Sequence, residues 1–441
     1  MTLSLIDFFT DPVLRGPTWG TLFMCIASSL MGAILLLKRR CLLGESLSHA
    51  AYPGIVAGVG FVGLFFPEHG EGAFFGVLGG AFATSVLGYK AIDWMEKKGK
   101  VYSDAALCFI LALFFGIGTV VASAMQSVLP AWRTKVQALM FGQAATMSDY
   151  HIVLYATLAG AVVLFLFFAF HQLQVILFDS DYAKTSGLPV RWIERTIFWL
   201  FLFSLILGIR SVGIVLMSGM AIAPAIAARQ WTDRLQTLFV LSAIFGAASG
   251  LLGNAASVLG SIFLSQSGEH LTLPTGPSVI LVGALIAAIS LLFAPKRGLV
   301  FRIRRIAAFR FRCLKENILK TMWKKETCTF GDLKKIHRIP SGTLFAILWR
   351  LKVGGWMEQI GQNYRLTADG RRKAASIVRL HRLWELYLAS ELGVSCNEKI
   401  HLGAEEMEHI LTPDIEERLT QILANPKIDP HSQPIPERSF L

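Results

Sequence analysis

The sequence predicts an all-α polytopic membrane domain, then a winged helix-turn-helix domain, then a helical metal-binding domain. Three observations predict it. Apolar runs near bilayer length fill residues 1–295 and stop at Ala294-Pro295. The next stretch, KRGLVFRIRRIAAFRFR, inverts the composition. Beyond it, amphipathic helical spacing returns, and imidazoles and carboxylates recur along one helical stripe.

Composition sets the frame. The chain has 441 residues, 54% hydrophobic and 16% charged. A soluble domain carries about 25% charged residues, so much of this chain must avoid water. Net charge is +12, and its distribution is uneven. Residues 1–295 hold 16 Lys and Arg against 14 Asp and Glu; residues 296–382 hold 22 against 5. Residues 383–441 hold 4 against 11. The basic segment suits phosphates, of nucleic acid or anionic lipid. The acidic segment suits a cation. Six cysteines (Cys25, Cys41, Cys108, Cys313, Cys328, Cys396) form no C-x-x-C pair, which implies no disulfide framework and a reducing compartment for the C-terminal part.

Candidate spans lie at 18–37, 48–66, 73–92, 104–125, 150–170, 196–228, 236–263 and 278–294. Most are close to the ~20 residues that cross a bilayer. The 196–228 run is too long for one ordinary span and contains Arg210, so eight or nine crossings are expected. Lys38-Arg39-Arg40, Lys97-Lys98, Lys184 with Arg191 and Arg195, and the arginines after Pro295 belong on the cytoplasmic side. Glu68-His69 and Glu269-His270 then fall outside, and an odd count of nine is favoured. Arg133 and Lys135 are a minor violation. Gly72/Gly76/Gly80, Gly54/Gly58 and Gly246/Gly250 repeat every four residues, the spacing of close helix contacts in lipid. His49 and Asp104 are ionisable groups in or at the ends of apolar runs, and are candidates for the transport path. No GxxxxGK[ST] phosphate loop occurs, so any ATP hydrolysis belongs to a separate subunit and the chain is not expected to be an enzyme.

The segments LLGESLSHAAYPGIVAG (42–58), LFDSDYAKTSGLPVR (177–191) and LTLPTGPSVILVGALIAAISLL (271–292) resemble the ATP-binding-cassette permeases for manganese, zinc and iron. The resemblance implies a second permease subunit, an ATPase subunit and an extracytoplasmic metal-binding protein. It also implies a cytoplasmic loop, here 178–191, that contacts the ATPase through Asp179, Gly187, Leu188 and Pro189.

Residues 296–312 read as a basic linker. Cys313–Lys325 reads as a first helix and Thr329–His337 as a second, entered through Thr329. Ile339-Pro340-Ser341-Gly342 is a turn. Thr343–Lys352 is a third helix with Leu344, Ile347, Leu348 and Leu351 facing inward. WMEQIGQNYRLTADG reads as a two-strand wing. Residues 313–380 thus make a winged helix-turn-helix expected to meet double-stranded operator DNA. Ser341, Thr343, Arg350, Lys352, Arg371, Arg372 and Lys373 are its expected contacts. Phe345, Ala346 and Trp349 stand where polar base-reading groups belong.

The metal reading rests on spacing within 381–441. His381 and Glu385 are four apart on one helix. His401, Glu405, Glu408 and His409 follow at i, i+4, i+7 and i+8 on another. Imidazole with carboxylate suits a divalent transition metal, iron(II), manganese(II) or zinc(II), with the first two expected here. Cys313 and Glu316 on the first helix can close the site.

HRLWELYLASELG (381–393), HLGAEEMEHILTPDIEERL (401–419) and NPKIDPHSQPIP (425–436) resemble the diphtheria-toxin-repressor and manganese-repressor type of metal-dependent regulator. The resemblance implies a homodimer, with residues 381–441 supplying dimerisation as well as metal binding. Cys313, Glu405, Glu408 and His409 match its activating site. Glu316 matches a ligand of the manganese branch. His381, Glu385 and His401 match ancillary ligands. Glu405 stands where the iron branch has cysteine, and Cys313 where the manganese branch has aspartate. The whole chain resembles the fused permease–repressors of the Ytg metal-uptake system. That implies a multi-pass protein of the bacterial inner membrane, with a cytoplasmic C-terminal part released by cleavage in the linker. A regulatory tail that gates transport without touching DNA is the alternative.

Overall fold

The computed structural model describes residues 4, 6–65, 72–128, 140, 142, 144–266, 272–392 and 413–437. The chain divides into two compact units, Met1–Phe301 and Arg302–Leu441.

In the first unit the helices are α1 (Asp7–Thr10), α2 (Arg15–Leu37), α3 (Leu42–Phe65), α4 (Gly72–Lys97) and α5 (Ser103–Val128). After a short 3-10 turn come α6 (Asp149–Phe178), α7 (Ser180–Thr185), α8 (Val190–Val212), α9 (Met217–Trp231), α10 (Leu235–Gln266) and α11 (Thr275–Phe293). Among the described residues six of these, α2, α5, α6, α8, α10 and α11, are long and apolar enough to cross a membrane. The over-long 196–228 run resolves into α8 and α9. They are parted at Gly213, whose φ of 98° is a conformation that glycine adopts without a Cβ penalty.

Helix α2 is the central element, with Met24, Met31 and Ile34 fully buried. Small residues set the close approaches. A Cβ on Gly54 of α3 would meet the Gly80 carbonyl of α4 at 2.0 Å, and one on Gly80 would meet the Gly54 carbonyl at 2.2 Å. Gly246 and Gly250 of α10 press in the same way on Cys25, Ser29 and Thr21 of α2. Where lipid gives no hydrophobic drive between helices, such backbone approach and interhelical hydrogen bonds supply the cohesion. Asn254 Nδ2 donates to Thr18 Oγ1 at 2.8 Å, and Ser46 Oγ to the Leu107 carbonyl at 2.9 Å.

The second unit is built on α12 (Leu299–Lys324), whose first residues belong to the other unit. It continues through β1 (Cys328–Thr329), α13 (Phe330–His337), α14 (Ser341–Val353), β2 (Met357–Ile360), β3 (Asn363–Leu366), α15 (Ala368–Leu392) and α16 (Pro413–Ile422). The sheet order is β1-β3-β2, both pairs antiparallel, with Met357 opposite Leu366 and Ile360 opposite Asn363. The hairpin turns through Gly361, φ 61°. One apolar core joins these pieces: Ile318 and Met322, Leu333, Leu344, Ile347 and Leu351, and Met357 with Leu366. Thr329 caps α13, and Asp332 returns the capping box to the Thr329 amide.

The first helix is longer than its sequence suggests. Residues 299–312, read above as linker, are its opening turns. No Pro or Gly lies between Leu299 and Lys324, and arginine is a good helix former.

Candidate functional site

The buried polar cluster of the second unit is built by α12, α15 and the loop after α16. Lys320 on α12 places Nζ 3.2 Å from His381 Nδ1. One turn along α15, Glu385 is only 2% exposed. Its Oε1 lies 3.7 Å from His381 Nε2 and 3.4 Å from His431 Nε2. An ammonium can only donate, so in this contact His381 Nδ1 is the acceptor. Asp429 holds the loop by accepting from the His431 and Gln433 amides at 2.9 and 2.7 Å. It also faces Arg382 Nε at 3.2 Å. One turn back on α15, Arg379 fixes α16 and the tail, donating to Glu416, Thr420 and the Pro436 carbonyl.

His381 and Glu385 therefore come together as their spacing predicts, and His431 joins them. His431 went unassigned in the sequence because it sits in a proline-punctuated loop with no helical spacing. Cys313 and Glu316 lie half-buried on α12. His401, Glu405, Glu408 and His409 lie outside the described residues. Two imidazoles and a buried carboxylate are the right donor types for a borderline divalent ion. Asn317 Oδ1 and Trp384 Nε1, neighbours in sequence of Glu316 and Glu385, are buried without a hydrogen-bond partner among the described residues. Among those residues, however, no three His, Cys, Asp or Glu side chains form a set that could hold a metal ion. The donors fit in kind but do not close around an ion among the described residues.

The expected phosphate contacts occupy one unit. Ser341 opens α14 and is exposed, and Thr343 is half-buried. Arg350 lies over the Phe311 ring at 5.0 Å. Lys352 is exposed. Arg371 reaches Glu326 at 3.7 Å, and Arg372 pairs with Asp369. Lys315, which no spacing had singled out, lies over Trp356 at 4.5 Å. Burial lowers its pKa, Glu316 partly opposes this, and Lys373, Arg312 and Arg350 lower it further. Phe345 and Trp349 stand 67% and 58% exposed on α14.

In the first unit, His49 is buried on α3, edge-on to Phe115 at 4.9 Å. Its Nδ1 has no hydrogen-bond partner among the described residues. Asp104 is exposed in the first turn of α5. The loop 178–191 is a short helix capped at both ends. Asp179 accepts from the Asp181 and Tyr182 amides at 2.9 and 3.0 Å. Gly187 (φ 77°) and Leu188 close the C-terminus, donating to the Lys184 and Ala183 carbonyls. Pro189 is the N-cap position of α8. The result presents Asp181, Tyr182 and Lys184 to solvent on a short capped helix. Lys184 bonds Asp181 at 2.8 Å, which lowers the carboxyl's pKa and raises the ammonium's.

Residues 10–294 match the model of the ABC 3 transport family. Residues 367–437 match that of the iron dependent repressor, metal binding and dimerisation domain. A probable metal transport system membrane protein of Chlamydia pneumoniae is 37% identical over 98% of both chains. Its counterpart from Chlamydia trachomatis serovar D is 34% identical over 98% of each. The PsaBC structure from Streptococcus pneumoniae shares the membrane fold at 23% identity and a TM-score of 0.53, covering 66% of this chain and 96% of that one. A bundle of apolar helices, followed by two imidazoles around the buried Glu385 carboxylate inside a matched repressor segment, is thus accounted for: the chain is a multi-pass membrane permease of the ABC 3 transport family, carrying a C-terminal domain of the iron-dependent-repressor type.

Proposed function

We propose that this chain is the permease subunit of an ATP-driven importer of iron, manganese or zinc, fused to a metal-dependent DNA-binding repressor of uptake genes. The observation that carries the reading is the pairing of the two families in one chain, over 10–294 and 367–437. Two relatives that match it over 98% of their length are named as metal transport membrane proteins. In this reading α3, α4 and α9 add to the six apolar helices to give nine crossings. Asp179, Gly187, Leu188 and Pro189 shape the coupling helix for a separate ATPase. A second permease subunit and an extracytoplasmic metal-binding protein complete the importer. His49, buried and with an unpartnered nitrogen, lies on the path of the cargo ion; Asp104 serves at its mouth.

In the same reading α12 to α14 with the β2–β3 hairpin are a winged helix-turn-helix. Cys313, Glu316, Glu405, Glu408 and His409 hold the activating ion, and His381, Glu385 and His401 with His431 the ancillary site. An ion held by these residues would join α12 to the segment that carries Glu405, Glu408 and His409. It thereby selects one spacing of the two recognition helices in a homodimer. Cleavage within 296–312 frees the domain to reach DNA.

The exposed Phe345 and Trp349 favour the rival in which α14 meets a protein and the domain gates transport. A gel-shift titration separates the two. Full-length protein in nanodiscs and its 302–441 fragment are mixed with DNA from upstream of the gene, with and without iron(II), manganese(II) or zinc(II). Metal-dependent retardation supports the repressor; none with any ion supports the gate.

A further inference from the structure

We infer that the opening turns of α12 form an interfacial helix that lies on anionic lipid of the leaflet beside the end of α11. The inference rests on the membrane family membership and not on DNA binding. Helix α11 ends at Phe293, and α12 begins at Leu299. The chain between them is pinned: Gly298 N donates to the Ala294 carbonyl at 2.7 Å, and Lys296 and Arg297 reach Asp233 at 3.7 and 2.5 Å. Six steps of extended chain span at most ~20 Å, so α12 starts within reach of the headgroup layer.

Its composition then selects a surface. Leu299, Ile303 and Ile306 fall at i, i+4 and i+7, one face of a helix, with Val300 and Ala307 beside them. The three are 50%, 56% and 45% exposed, although they are large and apolar. Arg302 and Arg304 flank that stripe, and Arg305 and Arg312 lie opposite. Residues 296–315 carry eight lysines and arginines and no acidic residue. An apolar stripe rimmed by arginines, close to a crossing, matches a bilayer surface: side chains enter the acyl boundary and guanidinium groups meet lipid phosphates. Arg310 interrupts the stripe, so the lipid-facing stretch ends there. Cys313 and Glu316 follow at once on the same helix, which puts candidate metal ligands beside the lipid-held segment.

The test uses full-length protein, with reactive native cysteines replaced, in nanodiscs of phosphatidylcholine alone or with phosphatidylglycerol. A nitroxide is placed at Ile303→Cys or, on the opposite face, at Ala308→Cys. In phosphatidylglycerol discs the Ile303 label should favour oxygen over a water-soluble nickel complex several-fold more than the Ala308 label does. The difference should shrink in phosphatidylcholine, and in the R302E/R304E/R305E variant. Equal water access at both positions in the anionic discs would overturn the inference. So would protection of Ile303 that appears only when duplex DNA is added, which would assign the helix to nucleic acid.

Discussion

Glu385 is the residue on which the buried cluster turns. A carboxylate so enclosed is tolerable only with partners, and two imidazoles supply them. Glu385→Gln should weaken metal retention by the second unit by roughly 10- to 100-fold, read by calorimetry with manganese(II) or iron(II). Unchanged affinity would mean that the cluster is only structural. The α13 cap gives a second test at this scale. Thr329→Ala should cost about 1 kcal/mol of stability in urea unfolding. The hydrogen bonds from Thr329 hold the Asp332 carboxyl below its usual range. A group depressed on folding stabilises above its unfolded pKa, about 3.9 for aspartate, and loses that as pH falls through the folded value. Asp332→Asn should therefore differ most from wild type above pH ~4 and converge with it below. Thr329 as the entry of a helix was legible in the sequence. That Glu385 serves two imidazoles was not, because the second comes from a loop whose position only tertiary packing fixes.

At the scale of elements, the short α7 and the long α12 make the contrast. Helix α7 has six residues, far too few to persist by propensity, and so depends on its caps. Asp179→Ala removes the acceptor for two amides. It should cost about 1 kcal/mol, or roughly fivefold in affinity for the ATPase subunit, measured by titrating that subunit onto reconstituted permease. Unaltered affinity would remove α7 from the interface. The apolar runs marked most of the long helices of the first unit to within a few residues, since span length follows bilayer thickness. The glycine repeats likewise marked the α3–α4 and α2–α10 approaches. Residues 299–312 are helical because arginine is a good helix former and no proline or glycine interrupts them, which their charge alone does not reveal.

The whole molecule poses a problem of location, since the proposed repressor must reach DNA while it is joined to a permease. Release by cleavage within 296–312 predicts a soluble species of about 15 kDa, scaled from 48.5 kDa for 441 residues, on immunoblots with a C-terminal antibody. Only full-length chain would leave the domain tethered. Two solvents in one sequence were legible from composition alone, as was the order of the domains. Metal choice was not, because Cys313 and Glu405 mix the preferences of two branches. Under the proposed function, whichever ion is sensed drives DNA occupancy through residues past the last crossing. The most direct measurement is fluorescence anisotropy of labelled upstream DNA with the 302–441 fragment, titrated with manganese(II) or iron(II), for wild type and Glu408→Ala/His409→Ala. Ion-stimulated binding in the wild type, abolished in the double variant, is the predicted result; equal stimulation in both would contradict it.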